Sequence, residues 1–198
     1  IMKNVAVIGA GITGITLANL LQKKVNLTVF EKSRGVGGRM ATRRAEPYQF
    51  NHGAQYFKIE NKEFKNFLQP LIQNKIIKHL EANHIDILNK EVIKRTKTYN
   101  KIYYTPVSKM NSVVKYLINN NFFIKLLCKI DKTIKENDKW FIIDTDNASY
   151  GPYDWLFITI PPNQALKILY NNFKFLDIIK KIKMRSCYSL MLGFDEIK

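Results

Sequence analysis

The sequence predicts an α/β fold whose parallel sheet opens the chain. Three observations predict it. The β-branched run Val5-Ala6-Val7-Ile8 ends directly in Gly9-Ala10-Gly11-Ile12-Thr13-Gly14. A stretch with helical character follows, to about Lys23. A second apolar run, Val25 to Phe30, then ends in Glu31, twenty residues after Gly11. A short run of this kind suits a strand buried on both faces, and strands alternating with helices give a parallel sheet.

The G-x-G-x-x-G spacing has a chemistry attached to it. Gly9 serves the tight turn, Gly11 lets backbone approach a pyrophosphate, and Gly14 lets the helix lie close on the strand. The helix then points its first amides, at Ile12 and Thr13, and its positive dipole end toward an anion. A carboxylate at Glu31 can accept the hydroxyls of an adenosine ribose, with Lys32 beside it in the same candidate site. Glu31 is also the only acid among the first 45 residues. These features predict a bound dinucleotide and leave NAD and FAD open.

A second glycine turn follows. Arg34-Gly35-Val36-Gly37-Gly38-Arg39-Met40-Ala41-Thr42-Arg43-Arg44 holds four of the chain's six arginines, whereas the other cations are nearly all lysine. A guanidinium binds phosphate oxygens in pairs, which a lysine ammonium does not. Gly37 and Gly38 would bring bare amides near an anion or a ring edge, with Arg39 and Arg44 as the cationic contacts.

These residues, with Phe50-Asn51-His52-Gly53-Ala54-Gln55-Tyr56-Phe57, resemble the renalase-like group of FAD-dependent oxidoreductases, relatives of the amine oxidases. The match is close over residues 3–57. It is weaker through Tyr103 to Leu117, Asp154 to Leu169 and Cys187 to Glu196. The resemblance implies FAD as cofactor. It also implies an FAD/NAD(P)-binding Rossmann-like domain of the glutathione-reductase type with a β-meander, plus a partial α+β substrate domain. By the same resemblance Ala54 and Gln55 lie near the flavin or its ribityl chain, and Ile130 is the candidate for backbone contact with adenine. The sequence departs from the family in carrying Asn51 for an aspartate and Ser108-Lys109 for a Pro-Gly pair. It also stops at Lys198, where the family's C-terminal third would follow.

Composition bounds the alternatives. A hydrophobic content of 46% with 12% aromatics describes a globular chain. The net charge of +16 admits a nucleic-acid or anionic-membrane partner. Yet the lysines are scattered among Asn and Ile, and no arginine block lies outside residues 34–44. Compositional bias is therefore the reading preferred over nucleic-acid binding. Cys128, Cys187 and three histidines form no metal-type spacing, so no metal is expected and a reduced cytoplasmic setting is the economical one. Residues 5–21 are uncharged, but the three glycines within them speak against a signal peptide or membrane span.

Beyond the arginine turn, His52 either approaches the cofactor or is a hydrogen-bonded core residue. Asn61 to Leu68 reads as a helix capped by Asn61, which Pro70 then interrupts or restarts. Residues 76–104 read as short antiparallel strands, with Tyr99, Tyr103 and Tyr104 as core or strand-face residues. Ser108 to Asn119 reads as an amphipathic helix, and 122–134, 139–144 and 149–153 as a three-stranded meander. Trp155 to Ile160 reads as a buried strand meeting a helix that starts at Pro161-Pro162, at the sheet edge where ligands bind. Phe173 to Ile182 reads as a helix and Ser189 to Gly193 as a strand. The expected division assigns 1–57 and 110–165 to an FAD-binding domain, and 58–109 and 166–198 to a partial substrate domain.

The function expected by resemblance is oxidation of a small reduced substrate, an amine or a dihydronicotinamide, by hydride transfer to flavin. No residue is singled out as a catalytic acid or base. The alternative is a truncated, catalytically silent relative that retains dinucleotide affinity.

Overall fold

The computed structural model describes residues 2–97, 103–118, 122–170 and 173–195, with backbone alone for 83–87 and 93–97. The chain opens with β1 (Lys3–Ile8), α1 (Ile12–Leu21) and β2 (Val25–Phe30), then a single 3-10 turn at Gly38–Met40. A small hairpin follows, β3 (Arg43–Ala45) and β4 (Tyr48–Phe50), and then β5 (Phe57–Lys58), α2 (Lys62–Gln73) and β6 (Ile77–His79). Next come β7 (Asn83–Leu88), β8 (Glu91–Lys97), β9 (Tyr103–Pro106) and α3 (Asn111–Leu117). The chain continues through β10 (Phe123–Lys125), β11 (Ile130–Glu136), β12 (Lys139–Asp144), β13 (Ser149–Tyr153) and β14 (Trp155–Ile158), and then α4 (Pro162–Ile168) and α5 (Leu176–Lys180).

The central sheet has the order β10-β2-β1-β14, and all of its pairs are parallel. The chain leaves β1 on one side for β2 and returns on the other side as β14. The carboxyl ends of β1 and β14 therefore meet at the point where strand order reverses, the crevice that ligands occupy in such sheets. One face of the sheet packs Val5, Val7, Leu27 and Val29 against Ile15 and Ala18 of α1 and Val113, Val114 and Leu117 of α3. The other face packs Ala6, Ile8 and Phe30 against Ile130 and Ile142 of the meander and Ile168 of α4. Phe30 is fully buried, and burial of such a ring contributes about 1.5–3 kcal/mol.

The antiparallel meander β11-β12-β13 is present, but its first strand is not the continuous run 122–134. Residues 123–125 join the parallel sheet beside β2. The chain then bends at Leu127, with φ of 55°. The bend is fastened by Leu127 N donating to Ser33 O at 3.1 Å and Cys128 N donating to Glu31 O at 2.9 Å. Ile130 therefore opens the meander opposite Asp144 and does not sit on the parallel strand. Its side chain is buried in the second core cluster. Next to it, the Asp144 carboxylate accepts from Tyr150 Oη at 2.6 Å and from the amides of Asp146 and Ala148, each at 2.9 Å. The Tyr150 hydroxyl, aided by those amides, holds the Asp144 pKa below the ordinary carboxylate value, while burial raises that of the Cys128 thiol.

Other elements depart from the sequence reading for local reasons. Helix α2 is capped as expected, Asn61 Oδ1 accepting from Phe64 N at 2.7 Å, but it continues through Pro70 to Gln73. Leu68 and Leu71 flank the proline and are buried, so packing holds the helix together. The carbonyl of Asn66 that the proline cannot serve belongs to an exposed residue. Helix α3 is shorter than 108–119, and residues 119–121 lie outside the described ones, as does Tyr99. Tyr104 is a core residue as expected, buried and stacked on Phe57. Helix α5 is also shorter than its predicted span. Residues 189–193 form no strand. The segment passes beside the β3–β4 hairpin: Ser189 Oγ donates to His52 O, and Tyr48 Oη donates to Asp195 Oδ1 at 2.8 Å.

Candidate functional site

The two glycine turns meet. Gly37 N donates to Ala10 O at 2.9 Å, and Gly11 and Gly37 form a parallel bridge. A Cβ built on Gly38 would lie 3.3 Å from Gly11 Cα. Gly37 has φ of 129°, a backbone that residues with a side chain rarely adopt, so the second bend requires glycine. Gly9 N donates to Phe30 O at 2.8 Å, which anchors the first bend to the end of β2.

Gly14 and Gly11 do different work. A methyl group at Gly14 would collide with the Gly9 carbonyl oxygen, so its glycine lets α1 lie on the turn. Around a Cβ at Gly11, in contrast, no atom of the described residues lies within 4 Å apart from those of its own chain neighbours. The space in front of that backbone is open, as a close-approaching pyrophosphate requires. Gly11 caps α1 without a side chain, and the first helical turn has no acid. Among the described residues, the amides of Thr13 and Gly14 have no hydrogen-bond acceptor. Thr13 is exposed and Ile12 half-buried at this helix start. Free amides, a dipole end without an acid and an open cradle fit an anion.

Glu31 is buried beneath the junction. Its Oε2 accepts from Ala10 N at 2.8 Å and its Oε1 from Ser33 N at 2.8 Å. The carboxylate thus ties the first glycine turn to the start of the second. Each oxygen retains a lone pair for a further donor such as a ribose hydroxyl. Cys128 N donates to the Glu31 carbonyl, so Ile130, two residues on from Cys128, follows this contact closely even though it is on a different strand from the one expected.

Arg39 sits in the 3-10 turn right after Gly38, and its carbonyl accepts from Ala54 N at 2.9 Å. Ala54 is thereby brought to the second turn. Gln55 is exposed, and its carbonyl accepts from Thr105 Oγ1 at 3.2 Å. Arg44 is carried on β3, paired with Gln49. Arg34, Arg39, Arg43 and Arg44 are all exposed, and among the described residues none has an acidic partner. Lys32 Nζ donates to Gln164 Oε1 at 2.9 Å, which ties it to α4. His52 Nδ1 is buried without a hydrogen-bond partner among the described residues, so this nitrogen is not that of a satisfied core histidine.

Two contributors, Thr159 and Asn111, went unnamed in the sequence reading, and a third, Asn51, was noted there only as a departure from the family's aspartate. Thr159 places its hydroxyl 3.0 Å from both the Ile8 and Gly9 carbonyls. Asn51 Oδ1 accepts from Thr42 Oγ1 at 2.8 Å and Met110 N at 3.0 Å, linking the arginine segment to the entry of α3. Both bonds use the oxygen, which an aspartate would also supply. Asn111 contributes a Cβ 3.4 Å from the Cβ position of Gly37. Apart from the Thr42–Asn51 bond, which spans nine residues, these contacts join distant parts of the chain; the available signals were the Asn51 departure and the position of Thr159 at the carboxyl edge of the sheet. Among the described residues no group of three metal-type ligands occurs, and no helix is long and apolar enough to cross a membrane.

Residues 7–71 match the family described as NAD(P)-binding Rossmann-like domain. Renalase of Mus musculus is 29% identical over 180 residues, covering 84% of this chain and 49% of renalase. The chain is similar to renalase over most of its length. It spans about half the length of that curated relative. Among solved structures, a proposed protoporphyrinogen oxidase from Exiguobacterium sp. 255-15 matches with a TM-score of 0.67 at 11% identity, over 90% of this chain and 63% of its own. An oxidoreductase from Methanosarcina mazei matches with a TM-score of 0.67 at 13% identity, over 91% of this chain and 65% of its own. At these identities the two structures show that this chain shares their Rossmann-like α/β fold.

Proposed function

We propose that this chain binds FAD and belongs to a renalase-like FAD-dependent oxidoreductase acting on a small reduced substrate, an amine or a dihydronicotinamide. One observation carries the reading: two glycine turns, bridged at Gly11 and Gly37, flank a helix N-terminus that no side chain caps. The amides of Gly11, Ile12, Thr13 and Gly14 would hold the diphosphate, with Arg39 and Arg44 supplying paired guanidinium donors. The remaining lone pairs of Glu31 would take the ribose hydroxyls, with Lys32 beside it and Ile130 along the adenine side. Gly37, Gly38, Ala54 and Gln55 would line the path toward the ring. Bound flavin supplies the hydride acceptor, and the chain supplies binding, orientation and electrostatics. The net charge of +16 favours encounter with an anionic dinucleotide.

The sheet connectivity supports the proposed division. The parallel strands β1, β2, β10 and β14 come from residues 1–57 and 110–165, and the sheets β5-β9-β6 and β7-β8 fall almost wholly within 58–109.

The test is the visible spectrum of protein soaked with FAD and then freed of unbound cofactor. A retained flavin spectrum that bleaches with a reductant and recovers in air is the expected result. Retention without that cycle supports a dinucleotide-binding relative that does not turn over. No retained flavin overturns the proposal.

A further inference from the structure

The end of β14 forms a wall against the first glycine turn. Thr159 N donates to Ile8 O at 2.9 Å, extending the parallel ladder one residue beyond the strand. The Thr159 hydroxyl lies 3.0 Å from Ile8 O and 3.0 Å from Gly9 O. A hydroxyl has one proton to give. Ile8 O already has the Thr159 amide, whereas Gly9 O accepts from no other donor among the described residues. The proton therefore belongs on the Gly9 carbonyl.

The same peptide is held at its other end. Ala10 N donates to Glu31 Oε2 at 2.8 Å. The Gly9–Ala10 peptide plane is thus fixed between a carboxylate at the end of β2 and a hydroxyl at the end of β14. Packing closes the remaining freedom. A Cβ at Gly14 would lie 2.8 Å from the Thr159 oxygen, and one at Gly9 2.8 Å from Ile160 Cγ2.

We propose that Thr159 is the positioning residue of the diphosphate site: it holds the Gly9 carbonyl against the sheet, so that the bend faces an anion with amides alone. A carbonyl turned the other way would set a partial negative charge against the phosphates. The inference rests on the dinucleotide reading above and adds to it a residue outside both glycine turns.

The test measures binding of ADP and of adenosine to the full chain by calorimetry, for the parent, Thr159→Val and Thr159→Ser. Thr159→Val removes the donor and keeps the shape, and should weaken ADP about three- to tenfold, the scale of one hydrogen bond. Adenosine, which has no phosphate, should bind as to the parent. Thr159→Ser should restore ADP affinity to within about twofold, since it keeps the hydroxyl. Thr159→Ala, which adds no bulk, serves if the valine variant does not fold. Unchanged ADP affinity in the variant that lacks the hydroxyl overturns the inference and leaves the dinucleotide reading standing. An equal loss for adenosine also overturns it, because the effect is then not on the phosphates. A parent that binds neither ADP nor FAD overturns both.

Discussion

Alanine at Gly11 and alanine at Gly14 should act on different quantities, although both positions belong to one motif. Gly11 has φ of −76° and ψ of −178°, an extended backbone open to any residue, and a Cβ there meets no atom of the described residues within 4 Å beyond its chain neighbours. Two small effects oppose each other in Gly11→Ala. The unfolded chain loses freedom, worth about 0.4–1 kcal/mol in favour of folding, and alanine is a poorer N-cap than glycine by a similar amount. Stability should therefore stay within about 0.5 kcal/mol, or about 2 °C in Tm for a chain of this size. The dinucleotide should not be spared. The new methyl occupies the space next to the free amides, and each lost hydrogen bond to a charged group costs about 1.5–3 kcal/mol. That is a loss of about 10- to 100-fold in FAD or ADP affinity.

Gly14→Ala drives a methyl into the Gly9 carbonyl and toward Thr159. Overpacking of this sort costs about 1–3 kcal/mol, or about 2–12 °C in Tm. Thermal unfolding and calorimetric titration of the two variants read both quantities. If Gly11→Ala binds ADP within about twofold of the parent, the open space is not the seat of the diphosphate and the reasoning fails.

Arg39→Lys preserves charge but removes the planar fork, and should weaken FAD about tenfold in the same titration; affinity equal to the parent would remove Arg39 from the site. The acid limb of stability should carry the mark of Asp154, which is tied to Lys139 at 2.6 Å, to Asn4 N at 2.7 Å and to Lys3 at 3.4 Å. The Lys139 hydrogen bond, seconded by the Asn4 amide, brings the Asp154 pKa down to about 2. The unfolded value is near ~3.9, so its stabilisation is complete above that pH and is lost as pH falls toward 2. Asp154→Asn should unfold at a lower temperature at neutral pH and lose less between pH ~4 and ~2 than the parent, as read from Tm against pH. Parallel curves for the two proteins would contradict that assignment.

What the sequence shows plainly is what short-range sterics dictate. Gly9, Gly11 and Gly14 lie within one turn and one helix start, and Glu31 follows at a distance set by the lengths of α1 and β2. Asn61 and Pro162 declare helix starts in the same local way. The rest depends on contacts between residues far apart in the chain. Thr159 lies about 150 residues from the carbonyls it serves. The split of residues 122–134 into β10 and β11 depends on backbone bonds from Leu127 and Cys128 back to Ser33 and Glu31. Helix α2 outlasts its proline because Leu68 and Leu71 are held in a core assembled from β1, β2 and α3. The apolar run at 189–193 has strand composition but no paired neighbour among the described residues, and composition alone does not make a ladder.

The most direct measurement of the two-turn site is an amide NMR titration of the chain with FAD. The resonances of Gly11, Ile12 and Thr13 on one turn and of Gly37 and Gly38 on the other should move together and saturate at one common ligand concentration. Movement confined to one turn, or saturation of the two at different concentrations, would show that they do not share a single dinucleotide.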